Sequence, residues 1–599
     1  MTGQIALVLL ILGVAIVLFA SERIRVDVIS MMVLLTLLFT GLLTTEEAFS
    51  GFSSPAVITV WAIYIVSAGL MYTGIADFIG QRIMRVSGQE EWRLIMVIMV
   101  TVGTMSAFMN NIGATAVLLP AVVAIGREVK IPASKLLIPL AFGSLLGGVT
   151  TLIGTPPNLL VSQALGTAGF EPFSLFDYTP MGLIIMVSSI AYMVLIGRHL
   201  LPSRQIDQED DLVQGYQLRN YLTELKVLSD SPLIGLTLVQ SRLGQNHGLN
   251  VVGIVRDERV RVGMMREEKI EGGDLLLVTG SVDKILSPEA SLGVTINPDF
   301  QLEDADFSSP ESSIAEIVVS QKADFIGQTL EQINFRKRFN LTVLAIWHQE
   351  TAIVDRIRHA PLRLGDTLLV HGRRGQLESL KRVPDFLVLG PITAAVDKKN
   401  RRTNKAPFAL IIFALMIVLV ATGTVPISAA AVLAAVLMVL TGCLTMDEAY
   451  RSIEWQSVFL IAGMLPMGIA MAKTGTAEYL SDMIINLVGD YGPQAIMVGL
   501  FVLTTVITEF MSNAAAAVLV APIAITAAMQ IGVAPQAFVM GVGIAASNSF
   551  LFPIGHQASV LVYGPGNYRF FDYTKVGLPL TILIWILLVL FLPIFWPFY

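Results

Sequence analysis

Cysteine is nearly absent from this chain: Cys443 is the only one in 599 residues. That excludes a disulfide framework and any cysteine-based metal centre. Charge is scarce too, 14% of residues against 54% hydrophobic, and the mean hydropathy of +0.70 belongs to a polytopic membrane protein. Two long stretches contain no Lys or Arg at all, one between Lys135 and Arg198 and one between Lys473 and Arg569. No nucleophile–base arrangement, phosphate-cradling glycine loop or metal-ligand cluster is evident, so membrane enzymology and ATP-driven chemistry have no motif to rest on. No nucleic-acid partner is expected. The net charge of −7 means little, because most of the charge lies in one central segment.

Apolar segments fall at about 4–20, 28–44, 56–76, 94–125, 136–165 and 179–201, and resume at about 407–423, 427–443, 455–472, 494–526, 536–563 and 576–598. A polar region separates the two sets. The first run lacks a basic leader and a small-residue cleavage site, so it reads as a retained span.

The two sets repeat one another. Residues 108–120 (FMNNIGATAVLLP) match 510–522 (FMSNAAAAVLVAP) at an offset of 402. GLLTTEEAF (41–49) matches GCLTMDEAY (442–450), TGIADFIGQRI (73–83) matches TGTAEYLSDMI (474–484), and FDYTPMGL (176–183) matches FDYTKVGL (571–578). LIGTPPNLLV (152–161) lies opposite FPIGHQASVLV (552–562) when Gly154 is set on Gly555. Each copy puts Asn or Ser beside small residues in an apolar neighbourhood. In hydrocarbon such groups need protein or a cavity to satisfy them, and matched interruptions in two halves point to a transporter binding site.

If each polar stretch is the tip of a re-entrant hairpin, each half has five full spans and the halves are inverted. Arg23, Arg25, Arg82, Arg85, Arg93, Arg127, Lys130, Lys135, Arg198 and Arg204 then share one face, which the positive-inside rule makes cytoplasmic. Lys398, Lys399, Arg401, Arg402 and Lys405 place the insert there as well, with both termini external. The expected organisation is a polytopic α-helical protein of the plasma or inner membrane, in contact with lipid. Its parts are a first membrane repeat (1–202), a first α/β module (203–294), a linker (295–313), a second module with its return linker (314–405) and a second membrane repeat (406–599).

The insert is itself duplicated: SPLIGLTL, LNVVGIVRD and GGDLLLVTG recur as ADFIGQTL, LTVLAIWHQ and LGDTLLVHG. The Ile-Gly-x-Thr-Leu and Gly-Asp-x-Leu-Leu-Val features resemble the TrkA-C (RCK C-terminal) domain of potassium-transport regulators. That resemblance implies a dimerising module that in some members binds a small ligand.

The membrane portion resembles the divalent-anion/sodium symporter family, carried by Asn110-Asn111, Ser512-Asn513, the loop Gly154-Thr155-Pro156-Pro157-Asn158 and the loop Gly555-His556-Gln557. The resemblance covers roughly 400 residues. With the insert, it points to the subgroup associated with sulfate. It implies sodium-coupled symport by an elevator mechanism in a homodimer, with Na⁺ as coupling ion and no other cofactor. The implied sodium sites use Asn110, Asn111 and backbone near Gly154, and Ser512, Asn513 and backbone near Ser547 or Asn548. Substrate would meet Asn110, Asn111, Thr155, Pro156, Asn158, Ser512, Asn513, Gly555, His556 and Gln557. The family's dicarboxylate carriers have Ser-Asn-Thr at both tips; here Ile112 and Ala514 replace the threonines, which fits a smaller tetrahedral anion better.

Physical reasoning points the same way. Without a basic residue nearby, an anion at the midplane must rely on helix N-termini, Asn, Ser and Thr donors and bound cations. Pro156-Pro157 forces a helix interruption. Glu509, whose repeat partner is Ala107, is a candidate coupling acid or cation ligand, or an acid paired at an aqueous hairpin mouth. His556 reads either as a proton-coupling group or as a neutral hydrogen-bonding one. Glu46, Glu47, Asp447 and Glu448 read as helix caps. Dicarboxylate or proton-coupled transport on the same fold, and a pore gated by the insert, are the competing readings.

Overall fold

The structure, a computed structural model, describes residues 2–21, 24–75, 90–204 and 402–599. Within 222–388 it describes all but 239, 242, 244–249, 257–258, 263–268, 280–291, 297–311, 321–322, 349–350, 354–356, 381–382 and 384. Arg23, Arg82, Arg85, Lys398, Lys399 and Arg401, much of the 73–83 repeat and most of the linker lie outside the described residues.

Among the described residues, eight helices are long and apolar enough to cross a membrane. The first half runs Gly3–Ser21, Val26–Phe39, Thr45–Phe49, Pro55–Tyr72, Glu91–Ser106, Asn111–Glu128, Ala133–Gly148, Pro156–Thr167 and Thr179–Tyr192, the last continuing through a π-turn to Leu200. The second half runs Ala406–Ala421, Ile427–Leu440, Met446–Ser452, Trp455–Thr474, Thr476–Val488, Pro493–Phe510, Asn513–Gln530, Gln536–Ser547, Gln557–Tyr563 and Phe570–Phe595. Both halves contribute to one buried apolar cluster.

Equivalent sequences make equivalent local bonds. Thr44 and Glu47 form a capping box on the helix Thr45–Phe49, and Thr445 and Glu448 form the same box on Met446–Ser452. These acids satisfy helix N-termini, as their positions predict. Gly41 and Gly442 end their helices at φ +72° and +73°, a left-handed conformation that favours glycine. Thr179 donates to the carbonyl of Thr150 at 2.8 Å, and Thr574 to that of Leu551, also at 2.8 Å. The FDYT segments thus pin the start of each final helix to the interrupted loop before it.

The described residues of the insert form two five-stranded antiparallel sheets. The first joins β1 (Leu222–Val227), β2 (Asn250–Arg256), β3 (Arg259–Val262), β4 (Leu275–Thr279) and β5 (Val294–Ile296) in the order β3-β2-β4-β1-β5. The second joins β6 (Ser312–Val319), β7 (Thr342–His348), β8 (Thr351–Ile353), β9 (Thr367–Arg373) and β10 (Phe386–Val388) in the matching order β8-β7-β9-β6-β10. Each sheet has an irregularity at the same place, between Val251 and Gly253 and between Val343 and Ala345. β5 reaches Ile296 because it pairs with β1, and β6 begins at Ser312, so the strands trim the expected linker at both ends.

Candidate functional site

Each polar stretch breaks a helix pair. Glu91–Ser106 ends and Asn111–Glu128 begins around residues 107–110; Pro493–Phe510 ends and Asn513–Gln530 begins around 511–512. The arms are 16 and 18 residues long in the first pair and 18 and 18 in the second. At 1.5 Å per residue they reach about 24–27 Å, against a hydrocarbon core of about 30 Å. Arm length alone therefore does not separate a re-entrant hairpin from two spans.

At the first tip, Asn110 caps the new helix by accepting from Ile112 N at 3.0 Å. Asn111 is buried, and its Oδ1 accepts from Ser106 Oγ at 2.7 Å. At the second tip, Ser512 caps through Ala515 N at 3.3 Å, and the Thr508 hydroxyl lies 2.9 Å from Asn513 Oδ1 and 2.8 Å from Ala546 O, with one proton to share between the two acceptors. The hydroxyl–asparagine pair is thus built twice, at the same offset of 402. Asn513 Nδ2 is buried and, among the described residues, has no hydrogen-bond partner.

The interrupted helices face these tips. Ala133–Gly148 stops, seven residues run without helix, and Pro156 opens the next helix at its first position, where a missing N–H costs nothing. A methyl group at Gly148 would collide with Asn111 Oδ1, and one at Gly154 with the Gly148 backbone. Thr151 is the hub of this loop: its hydroxyl donates to Ala107 O, it accepts from Gly154 N at 3.1 Å, and its carbonyl accepts from Asn158 Nδ2 at 2.9 Å. In the second half Gln536–Ser547 stops, and Gln557–Tyr563 resumes after a short 3₁₀ turn. There Glu509, 2% exposed, accepts from Leu551 N at 3.0 Å and Phe552 N at 3.1 Å. His556 Nδ1 accepts from Ala558 N at 3.0 Å, so the ring is an N-cap and, when neutral, carries its proton on Nε2.

The halves interlock. The helix Asn513–Gln530 packs on Pro156–Thr167 of the other half, and Asn111–Glu128 packs on Gln557–Tyr563. Asn110, Gly154 and Pro156 line one cleft with Val60, Ile63, Tyr64, Ile153 and Leu159. Asn158 is fully buried; among the described residues its Oδ1 has no partner, and it lies near Gly543. Asn548 is buried with both amide atoms unpartnered among the described residues, and Ser547 Oγ returns to Gly543 O at 2.8 Å. Thr155 is buried and makes no side-chain cap bond. Gly555 lies against Glu509 and Ser549, and Gln557 starts the short helix.

Apart from Glu509 and His556, the chemistry of this arrangement is a set of neutral oxygens and amides at helix breaks. Hydroxyl, amide and backbone oxygens suit a hard cation, and the N-termini opening at Asn111, Pro156 and Asn513 suit an anion.

A family model for citrate transporters matches residues 16–543. The chain belongs to the citrate transporter family. Its members are membrane transporters rather than enzymes, and so is this chain. It is 35% identical to the uncharacterized transporter YfbS of Escherichia coli, over the full length of both proteins. It is 34% identical to an uncharacterized transporter of Synechocystis sp., over 97% of this chain and 95% of the relative. It is 23% identical to sodium/sulfate cotransporter 1 of Chlamydomonas reinhardtii, over 96% of this chain and 88% of that protein.

Within this citrate transporter fold, sequence reasoning overlooked Ser106, Thr508, Thr151 and Tyr64. Ser106 and Thr508 carried a signal, since extending the repeat upstream of FMNN and FMSN aligns two hydroxyls. Tyr64 carried none. It reaches the cleft from Pro55–Tyr72 and donates to Glu454 Oε2 at 2.8 Å, a contact 390 residues away in sequence.

Proposed function

We propose that this member of the citrate transporter family is a sodium-coupled secondary transporter of a divalent anion, with sulfate as the leading substrate. The observation that carries the reading is the duplicated hydroxyl–asparagine pair, Ser106–Asn111 and Thr508–Asn513, at two helix breaks. In this reading each pair, with backbone of the facing loop, receives one Na⁺. Asn111 and Asn513 also face the anion, which Asn110, Thr155, Pro156, Asn158, Ser512, Gly555, His556 and Gln557 frame. The absence of tip threonines at Ile112 and Ala514 favours a small tetrahedral anion over a carboxylate clasp. Three relatives at 21–23% identity bear the name sodium/sulfate cotransporter, one of them as probable.

The proposal includes inverted repeats, each with five spans and a re-entrant hairpin, working as an elevator in a homodimer. Basic residues put the insert, two TrkA-C-like modules, in the cytoplasm and both termini outside. Alternating access then exposes the paired sites to each side in turn.

The test is labelled sulfate uptake into proteoliposomes with and without an inward sodium gradient, for the natural protein and Asn513→Ala. Sodium-driven accumulation that Asn513→Ala abolishes supports both class and site. Citrate is the rival cargo by the family's description. Uptake of citrate or succinate but not sulfate would keep the architecture and overturn the substrate.

A further inference from the structure

The second insert sheet is seated on the membrane part, and its seat is specific. Val318 of β6 is fully buried within the membrane apolar cluster, and Leu387 of β10 packs against that cluster. β10 lies along the helix Asn111–Glu128. In that helix's last turn, Arg127 pairs with Glu316 of β6 at 2.9 Å, the glutamate side chain being 7% exposed. The turn before β9 touches the other half: a side chain at Gly365 would strike the Val560 carbonyl, and one at Gly564 would meet Gly365 O and Thr367 Oγ1.

These contacts share one property. Arg127 is at the far end of the helix that starts at the first tip, Asn110-Asn111. Gly564 is at the far end of the short helix that starts at Gly555-His556-Gln557. The second module therefore grips the distal ends of two elements whose proximal ends are the candidate sites of opposite halves. A seven-residue helix is a short strut, and a fully buried valine does not leave and re-enter its seat cheaply in each cycle.

We propose that the second module is a permanent lever on the moving unit: it rides with both elements through the transport cycle, and its position is transmitted through the helix Gln557–Tyr563 to the Gly555–Gln557 loop. The inference rests on the transporter reading above. Anything that holds this module then holds the moving unit.

The experiment uses the full chain with Cys443→Ser, carrying Arg127→Cys and Glu316→Cys, reconstituted and joined through a bis-methanethiosulfonate cross-linker that spans the former ion pair, or released from it by reductant. A lever that rides along lets the cross-linked protein transport within about twofold of the reduced protein. A loss of more than tenfold, reversed by reductant, would show that the module must detach and would overturn the proposal. A second variant, Gly564→Val, is read by maleimide labelling of a cysteine introduced at Gln557. A labelling rate changed several-fold supports the strut, and an unchanged rate overturns it. Failure of the natural protein to move sulfate or any other anion would sink the proposed function. Cross-link formation and Gln557 labelling would still report the seat and the strut.

Discussion

Glu509 accepts the backbone N–H of Phe552, and Phe552 occupies the position that Thr151 holds in the first half. There the tie runs the other way, with the Thr151 hydroxyl donating to the carbonyl of Ala107, the repeat partner of Glu509. Both bonds fasten the break between two helices to the facing interrupted loop. The donor side chain has been lost from one partner and an acceptor side chain gained by the other. The acid is therefore engaged twice by backbone donors, as a clamp is.

The clamp makes a prediction for Glu509→Gln. An amide keeps one acceptor but turns its NH₂ toward the second backbone N–H, leaving a buried donor unsatisfied at a cost of about 1–3 kcal/mol. Apparent melting of the purified protein should fall by several degrees while uptake stays sodium-driven. Unchanged melting together with loss of a proton-driven component of uptake would instead make Glu509 the coupling acid.

Thr151→Val probes the equivalent tie in the first half. The substitution keeps the shape and removes a donor to Ala107 O and an acceptor for Gly154 N. It should cost about 1–3 kcal/mol and weaken binding at the first tip more than at the second. Stability and sodium dependence equal to the natural protein would contradict this account of the loop.

Much of this was legible in the sequence because the repeat is nearly collinear. Asn110, Asn111, Ser512 and Asn513 were found as deviations from an apolar background, and Pro156-Pro157 as an obligatory break. Glu47 and Glu448 were readable as caps, since Thr-x-x-Glu is a local signal. The tie of Glu509 was not, because its partners are backbone N–H groups 42 and 43 residues away, and backbone leaves no mark on residue identity. Tyr64 was hidden for a related reason: its partner is distant and the repeat provides no twin.

The cap at Glu448 predicts a pH dependence outside the membrane spans. Partial burial pushes this carboxyl up, but hydrogen bonds from Arg402 and the Thr445 backbone and hydroxyl outweigh burial and hold it below the usual carboxylate range. A group whose folded pKa is depressed stabilises above its unfolded value, about 4.3, and loses that contribution as pH falls through the folded value. Glu448→Gln should thus cost about 1 kcal/mol at pH 7. Its melting curve should converge with that of the natural protein as pH drops below about 4. A gap that stays constant with pH would mean the charge is irrelevant.

The paired tips give the last prediction. If Ser106 and Thr508 each contribute one oxygen to a separate Na⁺, then Ser106→Ala and Thr508→Val each remove a ligand from one site only. A lost ligand worth about 1.4 kcal/mol raises the half-saturating sodium concentration about tenfold. The two effects should differ in kind. Among the described residues Asn513 Nδ2 has no partner at the second tip, which leaves that amide to meet an anion. Thr508→Val, by removing the hydroxyl that Asn513 Oδ1 shares with Ala546 O, lets the amide turn and should weaken sulfate as well as sodium. Ser106→Ala acts on an asparagine wedged against Gly148, so it should weaken sodium with little effect on sulfate at saturating sodium. Uptake measured over a grid of sodium and sulfate concentrations separates the two. Identical shifts for both variants would mean the tips are equivalent, and no shift for either would remove the hydroxyls from the cation sites.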